Sequence, residues 1–484
     1  MPNKTKRNKA ITLAAVFTVA GVVYCLISLV NHYLFKTYAL DLGLYNHALY
    51  DYAHFRVSDC SLFKAVPQNL LSDHFDLYLM ILSPLVYVFG TYTLLIVQIT
   101  AVLLGGWGIY KLVGLYTDDD WLPVIATTVF FCSFGVIHPL AFDYHSNVLT
   151  AMMLPWLLYF LKQKKHGLAT LFVVLFVIGK ENMSLWLFFV AIGLMWDYRK
   201  DKKTLWYLTG YAVFSIAYFF VINMVVMPRL GGSGGGFARY AYLGNSYTEI
   251  AINLVSHPWE AVKILFTNTL GKPHYDGIKA EFYLCALATG MILTLLKPNY
   301  LFMLIPLIAQ KMLASDRMFW GVSLQYSVEF MPVLVISSFL VIIKLKKRLP
   351  RLILACALLL STLLTTFYTI GVPKAYIMVD QLCIYQGRHY VQKDFDASYA
   401  RQLIQQIPDD ASVCAARMFV PHLALRNEIY DFNLVAPLVR AEYVIIPESY
   451  LEMDWNGKLL TYYRDEYETV ATDGTICLLR RTQP

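Results

Sequence analysis

Long apolar runs separated by short polar breaks organise this chain. The first run, residues 11–31, follows a basic stretch holding Lys4, Lys6, Arg7 and Lys9. Others cover 77–90, 92–115, 121–138, 147–161, 167–180, 182–197, 204–227, 280–296, 299–314, 325–343 and 350–371. A helix needs roughly 20 apolar residues to span a bilayer, so the longer runs read as transmembrane helices. The first is too long for a signal-peptide core and lacks a small-x-small cleavage site, so it reads as an uncleaved signal anchor. The basic clusters are the N-terminus, Lys162/Lys164/Lys165, Arg199–Lys203 and Lys344–Arg351. The positive-inside tendency places all four in the cytoplasm.

Two cytoplasmic points are separated by an even number of crossings. That parity splits 165–199 into two short helices hinged at Gly179-Lys180-Glu181-Asn182. It also makes 77–90, short of a full span, an interfacial or re-entrant outer helix. A second interfacial helix, Leu42–Phe55, is expected just before it, with Asp41 as its N-cap. The expected fold is a polytopic α-helical membrane protein of about eleven crossings, N-terminus inside, with this outer interfacial helix pair. The outer loops are 32–91, 139–146, 228–279 and 315–324. The most polar breaks therefore share one face of the membrane.

The composition changes after residue 372, so a transmembrane domain 1–372 and a second domain 373–484 are expected. In the second, Tyr399–Ile407 reads as an amphipathic helix. Ser412–Ala416, Glu428–Phe432 and Ala441–Pro447 read as strands, and Glu468–Arg481 as a hairpin around Thr472-Asp473-Gly474. This is a small α/β domain, placed outside by the topology. The glycine-rich segment 231–236 reads as a mobile lid or a plain linker. It is not a phosphate-binding loop, because no Gly-Lys-Ser/Thr follows.

Composition agrees with a membrane protein. The 484 residues are 58% hydrophobic and 15% charged, where a soluble domain carries about 25% charge. The net charge of +7 sits in the topology-setting loops, so it indicates no nucleic-acid partner. Eight cysteines are scattered without a CxxC or Cys/His cluster, which leaves no zinc or redox motif. Cys383, Cys414 and Cys477 share the last domain, where a disulfide could form. No internal repeat is visible, which weakens a transporter of repeated halves.

The candidate chemistry lies in the outer breaks. Asp41 stands just beyond the first span, where a carboxylate meets both water and lipid headgroups. Lys180-Glu181 is an ionisable pair inside an apolar stretch, costly unless it faces a cavity or a partner; a plain loop between two helices is the alternative. Asp73-His74-Phe75-Asp76 and Phe142-Asp143-Tyr144-His145 both set carboxylate beside imidazole. Such groups could activate a hydroxyl or hold a divalent metal, and spacing does not decide between these. Arg229, Arg239, Lys272 and Arg317 are outer cations near aromatic residues. They suit lipid phosphate or ordinary headgroup contact.

A family resemblance runs through these residues. Asp41-Leu42-Gly43, Ser72-Asp73-His74-Phe75, Ser83-Pro84-Leu85-Val86-Tyr87, His138-Pro139 and Phe142-Asp143-Tyr144-His145 carry it in the first half. Lys180-Glu181-Asn182, Gln325-Tyr326 before Pro332, Ile407-Pro408 and Val420-Pro421-His422-Leu423-Ala424-Leu425-Arg426 carry it onward. Together they resemble a prokaryotic family of multi-pass membrane proteins, known as a domain of unknown function and related to the GT-C glycosyltransferases. The resemblance implies a GT-C-like fold and transfer of a sugar from a polyprenyl-phosphate carrier on the outer side of the membrane. It implies a catalytic acid in the first outer loop, which Asp41 matches, and a second in the next, which Asp143 matches. A Lys-Pro-Pro-like motif of some relatives is absent; Ser72-Asp73-His74 occupies that region. On this reading Asp41 is the general base, and Lys180, Arg229 or Arg317 meet the carrier phosphate. His74, Asp143 and His145 position sugar or acceptor, and Glu181 and Tyr326 complete the substrate-binding set. The partners are a polyprenyl-phosphate-linked sugar, membrane lipid and an acceptor the sequence does not identify. A transporter or flippase of a lipid-linked or anionic solute, and a non-catalytic envelope assembly protein, stand as alternatives.

Overall fold

The computed structural model describes residues 2–59, 62, 68–232, 235–371, 374, 379–435, 439–451 and 465–482. Cys60, Ser233 and Gly234 of the glycine-rich segment, and the expected domain boundary at 372/373 lie outside the described residues.

Apolar helices dominate, and the protein is a multi-pass membrane protein. Arg7–Tyr33, Tyr78–Gly114, Lys202–Arg229, Pro273–Thr294 and Arg348–Gly371 are each long and apolar enough to cross a membrane. Leu122–Cys132 and Phe134–Ala141, bent by 42° at Ser133, make one more if taken as a single span. His166–Val177, Met183–Tyr198 and Phe330–Ile342 are apolar but shorter. This set is smaller than the expected eleven crossings because the chain breaks several runs. The run 147–161 divides at Met152 into Ser146–Ala151 and Met153–Lys162. The run 299–314 divides at Leu304, just ahead of Pro306.

Two expectations meet different outcomes. The stretch 165–199 does form two helices, His166–Val177 and Met183–Tyr198, separated at Ile178–Asn182. Met183–Tyr198 packs closely on its neighbours: a Cβ at Gly193 would lie 2.6 Å from the Asn299 carbonyl oxygen. The run 77–90, by contrast, is not a separate outer helix. Pro84 and Gly90, the latter at φ +53°, reduce it to short turns that lead straight into Thr93–Gly114. A proline and a left-handed glycine interrupt regular hydrogen bonding without ending the helical path.

The chain packs as two compact units. Unit 1 comprises Met1–Cys25, Asp73–Asp76 and Gln98–Leu382; unit 2 comprises Leu26–Ser72, Leu77–Val97 and Cys383–Pro484.

Unit 2 contains a five-stranded sheet in the order β2-β1-β3-β5-β4, with β1 Val413–Ala415, β2 Ile429–Asp431, β3 Tyr443–Pro447, β4 Tyr467–Thr472 and β5 Ile476–Arg481. β1 pairs in parallel with β2 and β3, while β5 pairs antiparallel with β3 and β4. The β4–β5 hairpin turns where expected: Gly474 takes φ +84° and Asp473 Oδ1 accepts from the Thr475 backbone N–H at 2.8 Å. The amphipathic helix is Ala397–Gln405, capped by Asp396, whose Oδ1 accepts from Ser398 N–H at 2.7 Å. Cys383, Cys414 and Cys477 are buried free thiols, so the disulfide left open by the sequence does not form.

The segment after the first apolar helix starts differently from expectation. A π-turn, Ala39–Gly43, leads directly into the helix Leu44–Ala53, and the N-cap positions fall on Tyr38 and Gly43 rather than on Asp41. The backbone satisfies the helix start itself: Gly43 N–H donates to the Tyr38 carbonyl at 3.1 Å. Gly43 lets this turn approach the Val420–Leu423 helix, where a Cβ would meet Val420 at 2.8 Å. Asn46 Nδ2 donates to the Thr91 carbonyl at 2.9 Å, and His47 Nδ1 donates to the Ala424 carbonyl at 3.2 Å. Arg426, buried, donates to the carbonyls of Leu423, Pro408 and Ala411 at 2.9, 3.1 and 3.0 Å. Replacement by methionine keeps the length and orphans three carbonyls. Arg426→Met is expected to cost about 2–4 kcal/mol, read as a lower melting temperature in detergent with the helical circular-dichroism signal retained below it.

Candidate functional site

The charged break of the apolar helix pair is the centre of unit 1. At Ile178–Asn182 the chain brings Lys180 and Glu181 between His166–Val177 and Met183–Tyr198. The strap Asp73–Asp76, part of the same unit, meets Glu181 there. His74 Nδ1 stands 3.4 Å from Glu181 Oε1, and the Phe75 backbone N–H donates to Oε2 at 3.1 Å. Burial pushes the Glu181 carboxyl up, but His74 and then Lys180 outweigh it and hold the group at about 2. The Lys180 ammonium itself makes no hydrogen bond or ion pair among the described residues; its charge acts on Glu181, His145 and Glu329 through space.

The second acid/imidazole motif joins this region. Gln98 clamps the Asp143–His145 turn: its Nε2 donates to the Asp143 carbonyl at 2.8 Å and its Oε1 accepts from His145 N–H at 2.9 Å. Asp143 occupies the left-handed region at φ +51°, a strained conformation for a non-glycine residue. Burial, followed by the charges of Lys180 and His74, holds His145 well below its ordinary range. It is therefore a neutral imidazole near pH 7. The structure thus brings together four residues expected from sequence: His74, His145, Lys180 and Glu181.

Other expected residues fall elsewhere. Arg229 is exposed at the end of the Lys202–Arg229 helix and makes no ion pair among the described residues. Arg317 lies over the Tyr275 ring, 4.9 Å from its centroid, and Arg239 over Phe319 at 4.8 Å. Tyr326 stacks on Phe319 with centroids 3.9 Å apart. Among the described residues no three His, Cys, Asp or Glu side chains are grouped to hold a metal ion.

Asp41 belongs to unit 2. It is half-buried in the Ala39–Gly43 turn, against which the Val420–Leu423 helix packs. His422 of that helix stacks on His32, centroids 4.1 Å apart. His32 bonds Thr37 Oγ1 at 2.9 Å and Thr91 Oγ1 at 3.0 Å. Burial, with the Arg401 charge adding to it, lowers His422 to about 3.

Sequence reasoning missed a second buried polar centre in unit 1. Lys311 and Glu329 lie almost wholly buried, and Asn147 Nδ2 donates to Glu329 Oε1 at 2.7 Å. The signal was present: both are ionisable residues inside apolar runs, the same cue that singled out Lys180 and Glu181.

The family model described as "Predicted membrane protein (DUF2079)" matches residues 31–458. No curated protein matches the sequence. Solved structures with a similar fold include ArnT from Cupriavidus metallidurans bound to undecaprenyl phosphate, at TM-score 0.51 and 10% identity over 97% of both chains. Apo ArnT from the same organism gives 0.50 and 10% over 98% of both chains. The Archaeoglobus fulgidus oligosaccharyltransferase tethered with an acceptor peptide gives 0.46 and 11% over 97% of this chain and 74% of that one. The ArnT likeness shows that the chain shares the helical membrane fold of that enzyme.

The Glu181 shift sets a pH dependence. Its folded carboxyl titrates near 2 against an ordinary value of 4.5, so its charge stabilises the fold fully above the ordinary value. That contribution is lost as pH falls toward the folded one. Thermal scans in detergent are expected to show a melting temperature declining across this acid window, and Glu181→Gln to flatten the decline there.

Proposed function

The chain belongs to the DUF2079 family of predicted membrane proteins, and on that footing we propose that it is a membrane glycosyltransferase. It moves a sugar from a polyprenyl-phosphate carrier to an acceptor on the extracytoplasmic face. One observation carries the reading: a half-buried Lys180 with no direct partner among the described residues, beside the His74–Glu181 pair in a break between apolar helices. A cation of this kind is suited to an anionic group delivered from the membrane. The ArnT fold supports it, since one ArnT structure holds undecaprenyl phosphate.

Lys180 takes the carrier phosphate. Glu181 is kept ionised and in place by His74 and the Phe75 N–H. The acceptor hydroxyl gives up its proton to a carboxylate, the role that the resemblance implies for Asp41, and its oxygen attacks the anomeric carbon. The bond from that carbon to the phosphate oxygen breaks, and the carrier phosphate leaves with the electron pair. Charge building on that leaving group is stabilised by Lys180, commonly a large part of catalysis. A single displacement inverts the anomeric centre. Asp143 and the neutral His145 position the sugar. The N-terminus lies in the cytoplasm and the C-terminal sheet outside, by the positive-inside reading of the loops.

The test is transfer of a radiolabelled sugar from its undecaprenyl-phosphate carrier in proteoliposomes. Lys180→Met and Asp41→Asn are each expected to lower the rate by about 100-fold or more at unchanged melting temperature. Wild-type rates in both variants would remove the proposed machinery.

A further inference from the structure

In unit 1, the segment between the long helices Lys202–Arg229 and Pro273–Thr294 carries two short ones, Tyr247–Ser256 and Pro258–Phe266. Ser246 starts the first, its Oγ accepting from the Glu249 N–H at 3.1 Å; Pro258 opens the second. At 10 and 9 residues both fall short of the roughly 20 that a membrane crossing needs.

Pro258–Phe266 divides into three stripes. Ala261, Ile264 and Leu265 are partly buried against the protein. Glu260, Lys263 and, just beyond the helix, Thr267 form an exposed polar stripe. Trp259, Val262 and Phe266, at positions i, i+3 and i+7, form an exposed apolar one, 78%, 46% and 58% exposed. The preceding helix exposes Ile252 and Val255 as well. Large apolar side chains gathered on one exposed stripe mark a surface that something other than water covers.

The fastening of the helix says what that is. Tyr283 of Pro273–Thr294 donates its hydroxyl to the Leu265 carbonyl at 3.4 Å, and its ring lies 5.0 Å from that of Phe266. Lys279 of the same span, buried, donates to the Ile264 carbonyl at 2.6 Å and the Met312 carbonyl at 2.7 Å. Leu284, next to Tyr283, is 67% exposed on a helix long and apolar enough to cross a membrane, so lipid covers that side. The stripe reaches the same lipid-covered side where Phe266 meets Tyr283.

We propose that residues 247–266 form a membrane-surface element, lying along the headgroup–acyl boundary of the leaflet in which Pro273–Thr294 begins. Trp259, Val262 and Phe266 enter the acyl layer, and Glu260 and Lys263 face the headgroups. An apolar stripe beside a charged one on a short helix is the pattern of a helix lying in the interface, and tryptophan is the side chain most at home there. Pro258–Phe266 also packs on Ile305–Met312, whose Gln310 accepts from Asn182 at 3.1 Å, two residues past Lys180. The membrane surface and the charged break thus share a short chain of contacts. The inference stands apart from the glycosyltransferase reading and holds whatever the chain transfers.

The test uses the full chain in phosphatidylcholine nanodiscs. The fluorescence due to Trp259 is the difference between wild type and Trp259→Phe. Lipid brominated near the top of its acyl chains is expected to lower that share about twofold or more, and lipid brominated near the chain ends to lower it less. Phe266→Trp, read as its gain over wild type, reports from the same stripe if Trp259→Phe does not fold, and is expected to be quenched alike. Quenching by acrylamide from the water without quenching by brominated lipid would put the stripe in solvent. Shielding from both would put protein over it, a second copy of the chain included. Stronger quenching from the chain ends would put it deep in the bilayer. Each of these three results overturns the proposal.

Discussion

Charge set among apolar helices must be answered by charge or hydrogen bonds close at hand. The break at Ile178–Asn182 meets that constraint asymmetrically. Glu181 is answered by an ion-pair contact with His74 and by the Phe75 N–H. Lys180 is not: its ammonium has no direct partner among the described residues. The region therefore carries a fixed anion and an available cation a single residue apart. The strap Asp73–Asp76 is held by the His74–Glu181 pairing, and the depressed basicity of His145 follows from burial and then from the charges of Lys180 and His74. The second polar centre, at Lys311 and Glu329, obeys the constraint in another way. There the lysine is saturated by carbonyls and a hydroxyl, and the carboxylate accepts from the Asn147 side chain.

Unit 2 shows what several of the motif residues are for. Arg426 gathers the carbonyls of Pro408, Ala411 and Leu423, which ties the two C-terminal motif segments together. Asn46 and His47 fasten the Leu44–Ala53 helix by its own polar edge. Gly43 is needed because a side chain there would collide with Val420. These residues hold the Asp41 turn in a defined place; they are fasteners and need no role in bond making.

Much of this was legible in the sequence, and the rest was hidden for identifiable reasons. Parity of basic loops found the broken helix at Gly179–Asn182, because charge placement and span length constrain each other strongly. Alternation and turn residues found the strands and the Asp473-Gly474 hairpin. The 77–90 run was set apart because it is short of a full span, whereas its turns at Pro84 and Gly90 run on into Thr93–Gly114. Asp41 looked like an N-cap, but a π-turn supplied the backbone bonds that a cap would have made. Of the site, His74, His145, Lys180 and Glu181 were all named from local chemistry. Lys311 and Glu329 were passed over because each stands alone in its run, without the doubled charge that made Lys180-Glu181 conspicuous. The partner that answers each one is far away in sequence, and only packing reveals it.

The claim beneath the account is that Lys180 is left unpaired so that it can take a phosphate carried by the membrane. Cryo-electron microscopy of the full chain in lipid nanodiscs with undecaprenyl phosphate tests it most directly. The account predicts phosphate density within hydrogen-bond reach of Lys180 Nζ, with the His74–Glu181 pair intact beside it. Carrier density seated elsewhere, with Lys180 still unengaged, would contradict it.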